Sequence, residues 1–235
     1  MKPGRTLALI PAKGASSRLK RKNLSVVGGK TLVARAVECA LDAGGFASVV
    51  VTTEDAEISQ EALRAGAEVP FLRPERLAVD PAGVVDVVLH ALDELEKRGK
   101  VYDTVTILLP TSPLRTPEDV RKALAQYAQG EADFLMSVSS YEHTPLAALT
   151  VAEDGTLTPL MPQWMGKLGA AAVPGSLPKV VRANGAIAIC DVRRLRETRT
   201  YYSYPLAAYE MPLERSIDID SELDARLAEL LLHQR

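Results

Sequence analysis

Aliphatic, strand-like runs alternate with amphipathic helical stripes from residue 7 to residue 139, and that order leaves few folds open to this chain. Leu7-Ala8-Leu9-Ile10 reads as a first strand. Residues 31–43 put Leu32, Val33, Ala36, Val37, Ala40 and Leu41 on one helical face, and Gly44-Gly45 ends the pattern. Ser48-Val49-Val50-Val51-Thr52-Thr53 is a β-branched run of the kind buried on both faces of a sheet. A helix over 55–65 closed by Gly66 follows, then a short extended piece over 67–72. Residues 84–98 form a strong amphipathic helix with Val84, Val87, Val88, Ala91, Leu92 and Leu95 on one side. A strand over 103–109, a helix starting at 116–119 with Pro117 in its first turn, and a strand over 133–139 complete the series. A β-α-β-α order with short connections predicts an α/β fold, a mostly parallel sheet covered on both faces by helices.

The pattern then loosens. Residues 141–181 carry several prolines and glycines, Trp164 and little periodicity. So long an irregular stretch points to a lid, a binding excursion or an interface. Regularity returns with a strand at Gly185-Ala186-Ile187-Ala188-Ile189-Cys190 and a last helix over 221–233, expected to turn Leu223, Leu227, Leu230 and Leu231 inward. A chain of 235 residues suits one domain over 1–235, with 141–181 as its excursion.

A net charge of −2 argues against a nucleic-acid partner and makes the basic cluster near the N-terminus local. No apolar stretch approaches membrane-spanning length, and the first apolar run is too short for a signal-peptide core. No membrane partner is expected. Cys39 and Cys190 sit in apolar contexts, as buried thiols of a reduced, cytoplasmic protein would. His90, His143 and His233 share no metal-ligand spacing.

Five constellations carry the chemistry. Residues 10–23 directly follow the first strand and combine small residues with Lys13, Arg18, Lys20, Arg21 and Lys22. Small residues let a backbone close around an anion and the cations neutralise it, so the loop is a candidate phosphate site. It is neither a Walker A sequence nor a dinucleotide G-x-G-x-x-G; the bland alternative is a solvated basic loop. In Ser216-Ile217-Asp218-Ile219-Asp220-Ser221, extended residues two apart point the same way. Asp218 and Asp220 therefore present two hard oxygen ligands on one face, suited to Mg²⁺ held together with phosphates. Alternatively Asp220 and Ser221 cap the last helix with Asp224. Pro110-Thr111-Ser112-Pro113-Leu114-Arg115 lies where ligands sit in open α/β sheets, or is a proline turn. Arg73, in Phe71-Leu72-Arg73-Pro74, reaches a phosphate or is a surface arginine. Arg182 and Asn184 contact ligand, or Asn184-Gly185 is only a turn.

In this order the pieces resemble the acylneuraminate cytidylyltransferases, the CMP-sialic acid synthetase family. Residues 10–23 resemble its I-P-A-R-x-G-S-K-x-x-x-x-K-N, and Thr53-Glu54-Asp55-Ala56-Glu57-Ile58 its T-D-D-x-E-I. Residues 66–74 with Leu77-Ala78 and Asp80, then 110–115, Asn184-Gly185-Ala186-Ile187 and 216–220, are also similar. Each motif is weak alone, but the ordered set is specific and spans nearly the whole chain. The resemblance implies a three-layer α/β/α sandwich with a Rossmann-like nucleotidyltransferase sheet. It implies transfer of CMP from CTP to a sialic acid-like 2-keto sugar acid, with release of pyrophosphate and dependence on Mg²⁺. Lys22 would neutralise the α-phosphate. Ala12, Lys13, Gly14, Ala15 and Ser16 would form the triphosphate loop, and Asn23 and Arg73 would bind nucleotide. Asp218 and Asp220 would hold the metal, one of them helping to deprotonate the sugar hydroxyl. Leu109, Thr111, Ser112, Arg182 and Asn184 would line the acceptor side. Residues 141–181 correspond to the family's dimerisation excursion, with Met161, Trp164, Met165 and Leu168 as a candidate interface of a homodimer.

Three departures fall on the acceptor side. The family usually has Gln where this chain has Leu109. A basic stretch usually precedes R-x-N-G, where this chain has Val173-Pro174-Gly175-Ser176-Leu177-Pro178. Small hydroxyl residues usually follow Asp80, where this chain has Pro81-Ala82-Gly83-Val84. Lys179 or Arg182 would supply the cation an anionic acceptor needs. Two other readings stay open: a nucleotidyltransferase with a different acidic acceptor, and a non-catalytic nucleotide-binding protein on the same scaffold.

Overall fold

The computed structural model describes residues 5–15, 19–168 and 177–233. Ser16 and most of the 173–178 segment lie outside them. In chain order the strands and helices are β1 (Thr6–Pro11), β2 (Val26–Val27), β3 (Lys30–Thr31), α1 (Leu32–Ala43), β4 (Ser48–Thr52), α2 (Ala56–Arg64), α3 (Val84–Glu96), β5 (Thr104–Ile107), α4 (Pro117–Gln129) and β6 (Phe134–Ser140). After these come β7 (Leu149–Val151), β8 (Leu157–Pro159), α5 (Pro162–Met165), β9 (Val181–Asp191), α6 (Val192–Thr198), β10 (Leu206–Glu210) and α7 (Glu222–His233).

Six strands form one sheet in the order β10-β6-β9-β5-β1-β4. β1 pairs parallel with β4 and β5, and β10 with β6, whereas β9 runs antiparallel between β5 and β6. The apolar runs read as two-sided because they are: Ala8, Ile10, Val49 and Val51 pack toward α1, α2 and α4, while Leu7, Leu9 and Val50 pack toward α3 and α6. Helices on both faces make the expected three-layer α/β/α sandwich.

The helix ends follow local chemistry. The Thr31 hydroxyl caps α1 and the Asp55 carboxylate caps α2. Thr116 and Asp119 form a capping box at α4 with Pro117 in the first turn. Ser221 and Asp224 do the same at α7, where Asp224 Oδ2 also accepts the Asp220 N–H at 3.1 Å.

Two expectations are corrected. Residues 181–185 do not precede the strand; they are part of β9. Four residues, Asn184 to Ile187, bulge opposite Ser137, with Gly185 at φ +72°. On α7, Leu231 packs inward as expected, but Leu223, Leu227 and Leu230 are exposed; Ala228 and Leu232 join Leu231 on a small core of Val27, Leu32, Leu114 and Ile219. Periodicity located an apolar stripe, but the seat at β2 and Ile219 takes the neighbouring face of Ala225, Ala228, Leu231 and Leu232. Within 141–181, β7 and β8 form a hairpin carrying exposed Leu149, Val151 and Leu157, and α5 packs on the turn at Pro145–Ala147.

Candidate active site

The carboxyl ends of β1, β4 and β5, together with the N-terminal half of the reversed β9, meet at one edge of the sheet. Two lobes open there, of about 280 and 260 Å³. Val84, Leu109 and Asp218 line both, so the lobes are two halves of one cleft.

The first lobe is built by the loop after β1. Gly14 donates its N–H to Glu54 Oε1 at 2.7 Å, and Glu54 Oε2 accepts from Arg73 Nη2 at 2.5 Å and Nε at 3.2 Å. One carboxylate beyond β4 thus holds both the loop and Arg73. A Cβ on Gly14 would stand 2.6 Å from Asp55 Oδ2 and 2.9 Å from Asp55 Cβ, so the close approach admits only glycine. At the loop's far end Arg21, with φ 53°, pairs with Glu57 at 2.6 Å, facing α2. Lys22 opens a 3₁₀ turn (Lys22–Leu24) and its Nζ meets Asp220 Oδ1 at 2.8 Å. Asn23 is buried; its Nδ2 donates to Lys13 O at 2.8 Å, while its Oδ1 has no partner and the residue lines the lobe. Lys13, Ala15 and Lys20 are exposed around the mouth.

The paired aspartates come from the segment before α7. Ile219 is fully buried and its N–H donates to Thr111 O at 2.8 Å. Anchoring the middle residue turns Asp218 and Asp220 together into the cleft. Further back, Arg215 binds the buried Asp119 with two bonds, Nε to Oδ2 at 3.0 Å and Nη2 to Oδ1 at 2.7 Å. Burial pushes the Asp119 carboxyl up, but Arg215 and Thr116 outweigh it and hold it below its ordinary value. The Asp218 carboxyl is raised, first because the cleft walls crowd it and then by Asp220; Thr111 and Lys22 oppose the rise. Solvent reaches Asp218 from the cleft, yet the concave surroundings still penalise its charge. Like charges held this close fit a divalent cation, whose charge relieves the repulsion. Among the described residues no third His, Cys, Asp or Glu joins them, so a cation here would take its remaining ligands from phosphate oxygens and water.

The second lobe differs from its expected composition. Arg182 is exposed at its rim, without an ion-pair partner among the described residues. Lys179 is not free, being paired with Glu210. Asn184 is spent internally: its Oδ1 accepts from Ser137 Oγ at 2.5 Å and the Ala186 N–H at 3.1 Å, and its Nδ2 donates to Ser216 Oγ at 2.9 Å. It shapes the β9 bulge and has no bonding capacity left for an acceptor molecule. Ser112 is buried outside both lobes, and Thr111 lines the first lobe, not the second. Ala12 is core, its N–H bonded to Thr52 O at 3.0 Å. Arg73 is no surface arginine; it lines the first lobe, buried.

Tyr201 and Tyr202, their ring centroids 5.2 Å apart and the rings tilted by 31°, line the second lobe and carried no signal in the sequence. Arg115 belonged to a recognised motif without a role. It is buried, and its Nη1 donates to Leu109 O at 3.1 Å and Ala186 O at 2.6 Å, clamping β5 to β9 between the lobes.

Residues 7–154 match the family model described as cytidylyltransferase. The chain is 32% identical over 229 residues to CMP-N,N'-diacetyllegionaminic acid synthase of Legionella pneumophila, covering 97% of this chain and 96% of that one. It is 35% identical over 150 residues to pseudaminic acid cytidylyltransferase of Campylobacter jejuni, covering 64% of this chain and 65% of that one. In fold it is similar to a CMP:2-keto-3-deoxy-manno-octonic acid synthetase solved with CTP, at a TM-score of 0.69 and 18% identity over 98% of this chain and 99% of that one. With the loop after β1 facing two aspartates across a cleft, and with these matches along nearly its whole length, the chain belongs to the cytidylyltransferase family.

Proposed function

We propose that this protein transfers CMP from CTP to a 2-keto sugar acid of the nonulosonic type and releases pyrophosphate. The observation that carries the reading is the convergence of Lys22, Asp218 and Asp220 in the first lobe, with Asp218 also bordering the second. CTP would occupy the first lobe, with its phosphates along Lys13, Gly14 and Ala15 and against Lys22. Arg73 and the unpartnered Oδ1 of Asn23 would face the nucleotide. The acceptor would occupy the second lobe, its carboxylate on Arg182.

Asp218 borders both lobes, which sets its carboxylate between nucleotide and acceptor to take the proton of the acceptor's anomeric hydroxyl. That oxygen forms a bond to the α-phosphorus while the bond from phosphorus to the bridging oxygen of pyrophosphate breaks. Lys22 offsets the charge that grows on the α-phosphate oxygens. Mg²⁺, held by Asp218 and Asp220, would neutralise phosphate charge when bound. The exposed β7–β8 hairpin, with Leu160 and Met165 beside it, supports a homodimer formed through residues 141–181.

Pyrophosphate release measured with each of the four nucleoside triphosphates against a panel of keto sugar acids tests the reading. Release should require CTP, Mg²⁺ and an acid together. CTP binding without turnover on any acid would overturn it.

A further inference from the structure

A carboxylate beside an anion-binding lobe works against the ligand unless something cancels its charge. Glu54 is such a carboxylate, its side chain 12% exposed and that of its partner Arg73 3%. Each of its oxygens serves a different element. Oε1 takes the N–H of Gly14, where the loop after β1 begins, and Oε2 takes Nε and Nη2 of Arg73. Its neighbours do related work. Thr53 O accepts the Arg73 N–H at 2.8 Å, and the Asp55 carboxylate caps α2, which pins the turn to a helix end. Glu57, in the first turn of α2, pairs with Arg21 at the far end of the same loop. Residues 53–57 thus hold the loop at both ends and Arg73 at two points.

Arg73 is left with Nη1, which has no partner among the described residues, to meet a ligand in the lobe it lines. A free arginine loses much rotamer freedom on binding, whereas one already fixed loses little. We propose that Glu54 is a positioning residue for CTP, which fixes the loop at Gly14 and the Arg73 guanidinium in one geometry while Arg73 cancels its charge. This rests on the transfer reading above, with CTP in the first lobe. Neither Gly14 nor Arg73 touches the bonds that change, so Glu54 acts on the KM for CTP and not on kcat.

The test is calorimetric CTP binding, and kinetics with the acid that releases pyrophosphate in the panel above, for wild type, Glu54→Gln, Arg73→Met and the double variant. Urea titration checks the folding of each. Glu54→Gln sets an amide donor against one of the donors Glu54 holds; the Kd and KM for CTP should rise by about tenfold or more, with kcat and the acceptor KM within about twofold of wild type. Arg73→Met leaves Glu54 unpaired beside the lobe and should weaken CTP further, by about a hundredfold. Removing that carboxylate in the double variant should regain about threefold or more, so that Glu54→Gln changes sign with the background. Glu54→Asp keeps the charge but is one methylene short of holding both partners; it should weaken CTP by a smaller factor, and serves if Glu54→Gln does not fold. A loss of kcat that tracks the folded fraction with both KM values unchanged is the mark of a purely structural residue. That result, CTP binding in Glu54→Gln as tight as in wild type or tighter, or an equal cost in both backgrounds overturns the assignment and leaves the transfer reading standing. A wild-type protein that binds no CTP overturns both.

Discussion

Replacing Lys22 with Met separates the catalytic charge from the fold. The side chain is 13% exposed and its partner Asp220 36%, with 2.8 Å between Nζ and Oδ1. Pairs this open to solvent contribute about 1 kcal/mol or less to stability, and Met keeps the apolar stem of the lysine. The reaction asks more of the same ammonium. A unit charge about 4 Å from charge developing on a phosphate is worth about 4 kcal/mol at an effective dielectric constant of about 20. Removing a preorganised partner of a developing oxyanion costs about 10²–10³-fold in kcat. The variant should therefore lose about 10²–10³ in kcat, read by pyrophosphate release, while its unfolding free energy from urea titration changes by no more than about 1 kcal/mol.

Lys22 also holds down the raised carboxyl of Asp218. A raised carboxyl keeps its proton to higher pH, and catalysis needs the charged form. In the metal-free protein the Asp218 carboxyl should therefore titrate above the ordinary Asp value of about 3.9, read by NMR, and Lys22→Met should move it further up. A kcat within tenfold of wild type, or an activity loss that tracks loss of folded protein, would refute the argument.

Three further changes probe the supports of the site. Gly14→Ala forces a Cβ against Asp55, which cannot yield because it caps α2; calorimetry should show CTP binding weakened by about tenfold or more, and a melt a stability loss of about 1–3 kcal/mol. Asp119→Asn leaves Arg215 without its two-bonded partner, at a cost of about 2–3 kcal/mol because Arg215 is partly solvated. The Asp119 carboxyl lies below its unfolded value, so its stabilisation is complete above that value and lost as pH falls through the folded one. Urea titrations should show a flatter acid limb in the variant, and an unchanged slope would count against the pair. Arg182→Ala should raise the acceptor KM by at least about tenfold with the KM for CTP unchanged; a matched rise in both would place Arg182 elsewhere than at the acceptor carboxylate.

What could be read without coordinates was local. Strand and helix periods, caps and the small-residue loop after a first strand depend on neighbours a few positions apart. So does the turning of Asp218 and Asp220 to one side, which follows from the two-residue period of an extended chain. Arg73, Asn184 and Lys179 all read as polar groups without partners, and only folding gave each of them one. Their partners Glu54, Ser216 and Glu210 lie 19, 32 and 31 positions away, and no local pattern encodes such distances. The same holds for α7, whose stripe was visible but whose buried face was set by the seat beside Val27 and Ile219. Lys22 and the two aspartates could be named separately from the chain. That an ammonium and a carboxylate 198 positions apart meet at 2.8 Å is decided by the tertiary structure, in which the segment before α7 leaves β10 at the far side of the sheet and is anchored at Thr111 through Ile219, next to the loop after β1.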